Sequence, residues 1–144
     1  MGDTLEALFG IIVTVLSGAL IFIIQKAVDQ MWIAHLNNYK KLKGEIAYHL
    51  VFLANVYSNP ASQMNDEYEK ASKVFRELSA SLAAFAEVRP ALCLFVPSPS
   101  ILKEASRELI GMSNGMYERD GRNTQVESNE KRRIAICRLL NIHY

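Results

Sequence analysis

Residues 7–24 read ALFGIIVTVLSGALIFII, a run without one charged side chain. At ~1.5 Å per residue its roughly 27 Å of helix matches a hydrocarbon layer of about 30 Å. The rest of the chain reads as ordinary water-soluble sequence, so this run decides the architecture: a membrane anchor followed by a polar body. Asp3 and Glu6 precede the run and Gln25-Lys26-Ala27 follows it, unlike the basic leader and small-residue cleavage site of a secretory signal. A retained anchor is the reading. Lys26, Lys40, Lys41 and Lys43 all lie on its C-terminal side. The bias of basic residues toward the cytoplasm then predicts a single-pass inner-membrane protein, N-terminus outside and C-terminal domain cytoplasmic.

The chain has 144 residues and a formal charge of +1. That leaves room for the anchor, residues 1–30, and one helical domain, residues 31–144, large enough to bury its own core. Near-neutral charge gives no sign of a nucleic-acid partner, since such domains carry a basic excess. Cys93 and Cys137 read as buried thiols, reduced in the cytosol. No metal motif, glycine-rich phosphate loop or nucleophile elbow is present, so neither metal nor cofactor is expected.

Beyond the anchor, Leu42, Ile46, His49, Leu50, Leu53 and Tyr57 recur at spacings of three and four, which predicts one long helix from about Leu5 to the turn signal Ser58-Asn59-Pro60. A second helix is expected from Gln63 to Val88, with Asp66, Glu67 and Glu69 at its start and a stripe of Ala71, Phe75, Leu78, Leu82 and Phe85. The segment 91–96, ALCLFV, reads as an extended cover over one end of a bundle. Ser98-Pro99 opens a third helix with a cap and a proline at the first helical position. Its stripe is Leu102, Ala105, Leu109, Met112 and Met116, leaving Lys103, Glu104, Arg107 and Glu108 for solvent. A polar loop from Glu118 to Gln125, containing Asp120-Gly121, leads to a last helix from about Glu127. The fold class is all-α: a transmembrane helix continuing into an antiparallel bundle of about four helices.

At about 100° per residue, Gly10, Thr14, Ser17 and Gly18 fall on one side of the anchor, with Asp3 and Glu6 above and Gln25 below. Small residues four apart permit close approach of helices in a membrane, so homo-oligomerisation through this face is expected. Around a pore, Thr14 and Ser17 become the polar lining, Asp3 and Glu6 an acidic outer ring, and Gln25 the inner mouth.

One motif bears on chemistry. Arg138 and His143 form R-L-L-N-I-H, and on a helix this spacing brings both side chains toward one face. There a histidine serves as general acid or base while the arginine steadies a phosphate. The pair resembles the R-x4-6-H motif of HEPN ribonucleases, small helical bundles that dimerise to join two motifs into one site. Leu139 stands where that family usually has a polar residue. The whole layout, an N-terminal membrane helix, a small bundle and this motif, is similar to the membrane-anchored HEPN-like accessory proteins of RNA-targeting CRISPR systems. The resemblance implies an oligomeric membrane pore that damages the infected cell's envelope, rather than RNA cleavage.

The function expected is therefore a homo-oligomeric, membrane-perturbing effector whose partners are the bilayer and its own copies. The alternative is an anchored adaptor that recruits a cytosolic protein partner, and the third reading is a HEPN-type ribonuclease. His49 reads as a hydrogen-bonded core histidine, Trp32 and Tyr39 as interfacial or packing aromatics, and Lys131-Arg132-Arg133 as a solvated basic face.

Overall fold

The computed structural model describes residues 2–63, 65–90, 93, 95–117 and 122–143, with the backbone alone for residues 2–5, 31 and 122. Among them all regular structure is helical: α1 (Gly2–Val28), a π-helical turn (Asp29–Ile33), α2 (Ala34–Phe52), α3 (Ala54–Tyr57), α4 (Asp66–Val88), α5 (Pro99–Asn114) and α6 (Arg122–Leu140). The chain divides into two compact units, Met1–His35 and Leu36–Tyr144.

In the first unit, Glu6–Val28 is long and apolar enough to cross a membrane, with a mean hydropathy of 2.7, and none of its side chains is buried. The single long helix expected to Tyr57 is interrupted twice. Over Asp29–Ile33 the backbone widens to the π form, closed by the Ala34 N–H donating to Asp29 O. At Leu53 the backbone leaves helical geometry (φ −97°, ψ 15°) before the short α3. The Tyr57 hydroxyl donates to Leu50 O at 2.7 Å, giving a carbonyl at the helix end the partner that continued helix would have supplied.

The second unit begins its α4 at Asn65, whose side chain accepts from the Glu67 N–H at 3.0 Å. Asp66, Glu67 and Glu69 fill the first turn, where the dipole favours negative charge. Arg89, extended ahead of Pro90, ends the helix, as the steric clash of a following proline requires. Ser98 caps α5 and Pro99 occupies its first turn. The stripes meet in the core: Ala71, Phe75, Leu78 and Leu82 of α4 are buried with Leu102, Ala105, Leu109, Met112 and Met116, while Phe85 packs against the cluster half-buried.

Serines set how closely α4 and α5 approach. Ser79 and Ser106 are buried, their hydroxyls 2.8 Å apart, and each hydroxyl is within hydrogen-bonding distance of the other's carbonyl, at 2.8 and 3.0 Å. Ser72 and Ser113 pair at 2.8 Å, and Lys103 meets Glu87 at 2.8 Å. The partners ascend α4 as they descend α5. Each hydroxyl pair satisfies itself while keeping a small profile, so polar groups sit inside without stranded hydrogen bonds.

α6 packs on α5 through glycines. A Cβ at Gly115 would lie 2.0 Å from Asn129 Oδ1, and one at Gly111 would lie 1.7 Å from the Arg132 guanidinium. Asn129 is fully buried. Its amide donates to Tyr57 O and to Gly115 O, both at 2.8 Å, and its oxygen accepts from Gln125 at 3.2 Å. One side chain thereby joins the ends of α3 and α5 to the first half of α6.

Several expectations need correction. α6 begins at Arg122 rather than near Glu127; Asp120-Gly121 lies outside the described residues. Of the two thiols expected to be buried, Cys93 is buried and Cys137 only half-buried. Glu108 is not free in solvent but paired with Arg132 at 3.3 Å. The His49 ring meets Tyr48 edge-on with centroids 4.9 Å apart, and its Nδ1 has no hydrogen-bond partner.

Two glycine substitutions separate these effects. Gly115→Ala drives a methyl group into Asn129 and should lower unfolding stability by about 2–4 kcal/mol, as expected when buried carbonyls lose their donor. Gly44→Ala, with open space around the new methyl, should raise it by about 0.5–1 kcal/mol. Chemical denaturation followed by circular dichroism distinguishes the two.

Candidate functional site

The first candidate is the small-residue face of α1. Thr14 Oγ1 donates to Gly10 O at 2.9 Å and Ser17 Oγ to Val13 O at 2.7 Å. Both hydroxyl protons are used within the helix, so these side chains need no water to satisfy a donor. Nothing lies within 4 Å of a Cβ placed at Gly10 or Gly18. The face is therefore a shallow, self-satisfied strip with the hydroxyl oxygens still able to accept. Gln25 is exposed further along α1 and Glu6 stands at the start of the apolar stretch. The side chain of Asp3 lies outside those described.

The second candidate is the Arg138/His143 pair. α6 ends at Leu140 because Asn141 takes a left-handed backbone, φ 54°, a geometry that asparagine tolerates better than most residues. The Ile142 N–H donates to Cys137 O at 2.8 Å and the Asn141 N–H to Arg138 O at 3.3 Å, the double bond pattern of a Schellman close, with Ile142 tucked into the core. His143 follows this reversal. It does not share a helical face with Arg138, and its Nε2 lies 2.9 Å from Asn141 Oδ1. The premise of the motif, two side chains on one helix, is absent.

The same turn is held from α2. Lys43 Nζ donates to Asn141 O at 2.6 Å and the Tyr39 hydroxyl approaches Leu140 O at 3.4 Å. An ammonium at the C-terminal end of a helix also meets its partial negative charge. Sequence reading missed this clasp because neither Tyr39 nor Lys43 carries a motif.

The remaining candidates offer no reactive constellation. Lys131 pairs with Glu127 at 2.7 Å, Arg132 with Glu108, and Arg133 with Glu130. The basic run is thus neutralised by its own helices. The carboxyl of Glu127 is held below its usual range by Lys131, and that of Glu130 by its hydrogen bond to Arg133. A depression of about 350 Å³ on α4 is lined by Glu69, Ser72, Lys73, Arg76 and Tyr117. Its arginine is engaged by Ser113 at 3.0 Å and Asn114 at 3.3 Å. Among the described residues no three His, Cys, Asp or Glu side chains gather as metal ligands.

Two measurements test the C-terminal turn. Asn141→Val should cost about 1–2 kcal/mol of stability, the penalty of a branched residue in left-handed backbone, whereas Asn141→Gly should not destabilise. Burial pushes the Tyr39 phenol up to about 12. The unfolded phenol ionises first as pH rises, so its contribution is full below about pH 10 and is lost between there and about pH 12. Tyr39→Phe should flatten that alkaline decline in a pH series of denaturation curves. Compared with known protein families, curated proteins and solved structures, the chain matches none.

Proposed function

We propose that this chain is a single-pass membrane protein that self-associates in the bilayer through Gly10, Thr14, Ser17 and Gly18. The observation that carries the reading is the Glu6–Val28 helix, with a mean hydropathy of 2.7 and none of its side chains buried. In lipid, helices associate by close packing and weak hydrogen bonds rather than by apolar burial. A strip whose donors are internally satisfied and whose glycines stand open suits that packing. Lys26, Lys40, Lys41 and Lys43 favour a cytoplasmic location for the second unit, read as an antiparallel bundle of α2, α4, α5 and α6. With Thr14 and Ser17 turned inward and Asp3, Glu6 and Gln25 at the mouths, the oligomer forms a pore. The similarity of layout to HEPN-like accessory proteins extends this to a membrane-perturbing role in antiviral defence. Arg138 and His143, parted by the turn at Asn141, are given no catalytic role.

An anchored adaptor is the second reading, favoured by one feature: Tyr48, Val51 and Phe52 form an exposed apolar face on α2, with the Tyr48 and Phe52 rings stacked at 5.4 Å. Particle mass in detergent separates the two. A discrete oligomer is expected, reduced to monomer by the double variant Gly10→Leu/Gly18→Leu while the thermal unfolding of the second unit is unchanged. A wild-type protein that is monomeric and electrically silent in bilayers contradicts self-association and leaves the adaptor.

A further inference from the structure

The chain enters the second unit at Leu36, and the end it enters displays apolar and basic groups together. Tyr39, one turn in, stacks on Phe85 with ring centroids 6.0 Å apart and reaches Leu140 O. The first turns of α2, the last turn of α4 and the C-terminal turn of α6 therefore share this end. α4 closes there on Val88, 65% exposed, and the loop that follows carries Phe95, at 80% the most exposed large hydrophobic residue described.

Phe95 is presented rather than left over. Its neighbours Cys93 and Val96 are each only 4% exposed. The Arg89 guanidinium donates to Cys93 O at 2.5 Å, Val96 O at 3.0 Å and Pro90 O at 3.2 Å. One cation thus holds the carbonyls of Pro90, Cys93 and Val96, and Phe95 between the last two is exposed. Basic residues are carried at this end by α2 and α6. Lys40 and Lys41 directly follow Tyr39 and are exposed, Lys43 sits at Asn141 O, and Arg138 lies in the last turn of α6. Glu87, the carboxylate in the last turn of α4, is paired with Lys103.

We propose that this end of the second unit is a peripheral membrane contact, with Phe95 and Val88 entering the headgroup region and Lys40, Lys41 and Arg138 meeting anionic headgroups. The proposal rests on the reading of Glu6–Val28 as a spanning helix. Two apolar side chains are far too small for a stable protein interface, which needs about 800 Å² per partner. They suffice at a surface to which an anchor already confines the unit, where the second contact is intramolecular in effect. Aromatic rings with adjacent cations are the groups that partition to an anionic interface.

Two full-length proteins, each with a single tryptophan, test it: the wild type, whose only tryptophan is Trp32, and the double variant Trp32→Phe/Phe95→Trp. Both are reconstituted in vesicles carrying brominated acyl chains, made of phosphatidylcholine alone or with phosphatidylglycerol. Quenching of Trp32 in both lipids, with the indole introduced at position 95 blue-shifted and quenched more strongly in the anionic vesicles, is the expected result. Quenched Trp32 with an unquenched indole at position 95 overturns the peripheral contact and leaves the anchor standing. Equal quenching at position 95 in both lipids overturns the role given to the cations. Absence of quenching in both proteins overturns the spanning helix, and the inference with it.

Discussion

In the first unit, a helix of 23 residues with a mean hydropathy of 2.7 has no buried side chain. Phe9, Val15, Leu16, Phe22 and Ile23 are all more than half exposed. Each such side chain left in water forgoes about 1.5–3 kcal/mol. Summed along the helix, the loss is comparable to the ~5–15 kcal/mol that holds a folded domain together. The helix is long and apolar enough to cross a membrane, where hydrocarbon would be the solvent for such side chains. The hydroxyls of Thr14 and Ser17, bonded back to the turn before, are compatible with that solvent.

The second unit is organised on a different basis. Its apolar core is ordinary in composition; what defines its geometry is a small set of buried polar groups with complete hydrogen bonds. The paired serines bring α4 and α5 close, and Asn129 ties three helix ends together where Gly115 makes room. Such groups are costly when broken and neutral when satisfied, so they discriminate between packings that apolar contact alone would leave nearly equal in energy. Tyr39, in a buried contact, and Lys43, in an exposed one, also reach carbonyls at the end of α6.

Local chemistry was the most readable part of the sequence. α4 and α5 are visible from Asn65, Ser98 and Pro99 as caps and from stripes at spacings of three and four, because amphipathic periodicity and capping are encoded within a few residues of each other. The breaks at Asp29–Ile33 and Leu53 are not, since neither contains glycine or proline; the first is closed by the Ala34 N–H on Asp29 O and the second is accompanied by the Tyr57 hydroxyl on Leu50 O. α6 carries almost no apolar periodicity, and its key residue, Asn129, looks like a solvent-facing asparagine until the carbonyls of Tyr57 and Gly115 are seen beside it. At the candidate site, the small-residue strip was legible as composition. The Arg138/His143 spacing presumes a helix through residue 143, whereas α6 ends at Leu140 and Asn141 turns the chain.

Covering of α1 by lipid is the claim on which the rest stands, and the intact mass of the protein recovered from alkaline carbonate-washed membranes tests it most directly. The full chain of 16.2 kDa retained in the membrane pellet is the predicted result. Release into the carbonate supernatant, or recovery of a chain shortened by cleavage after the apolar run, would contradict it.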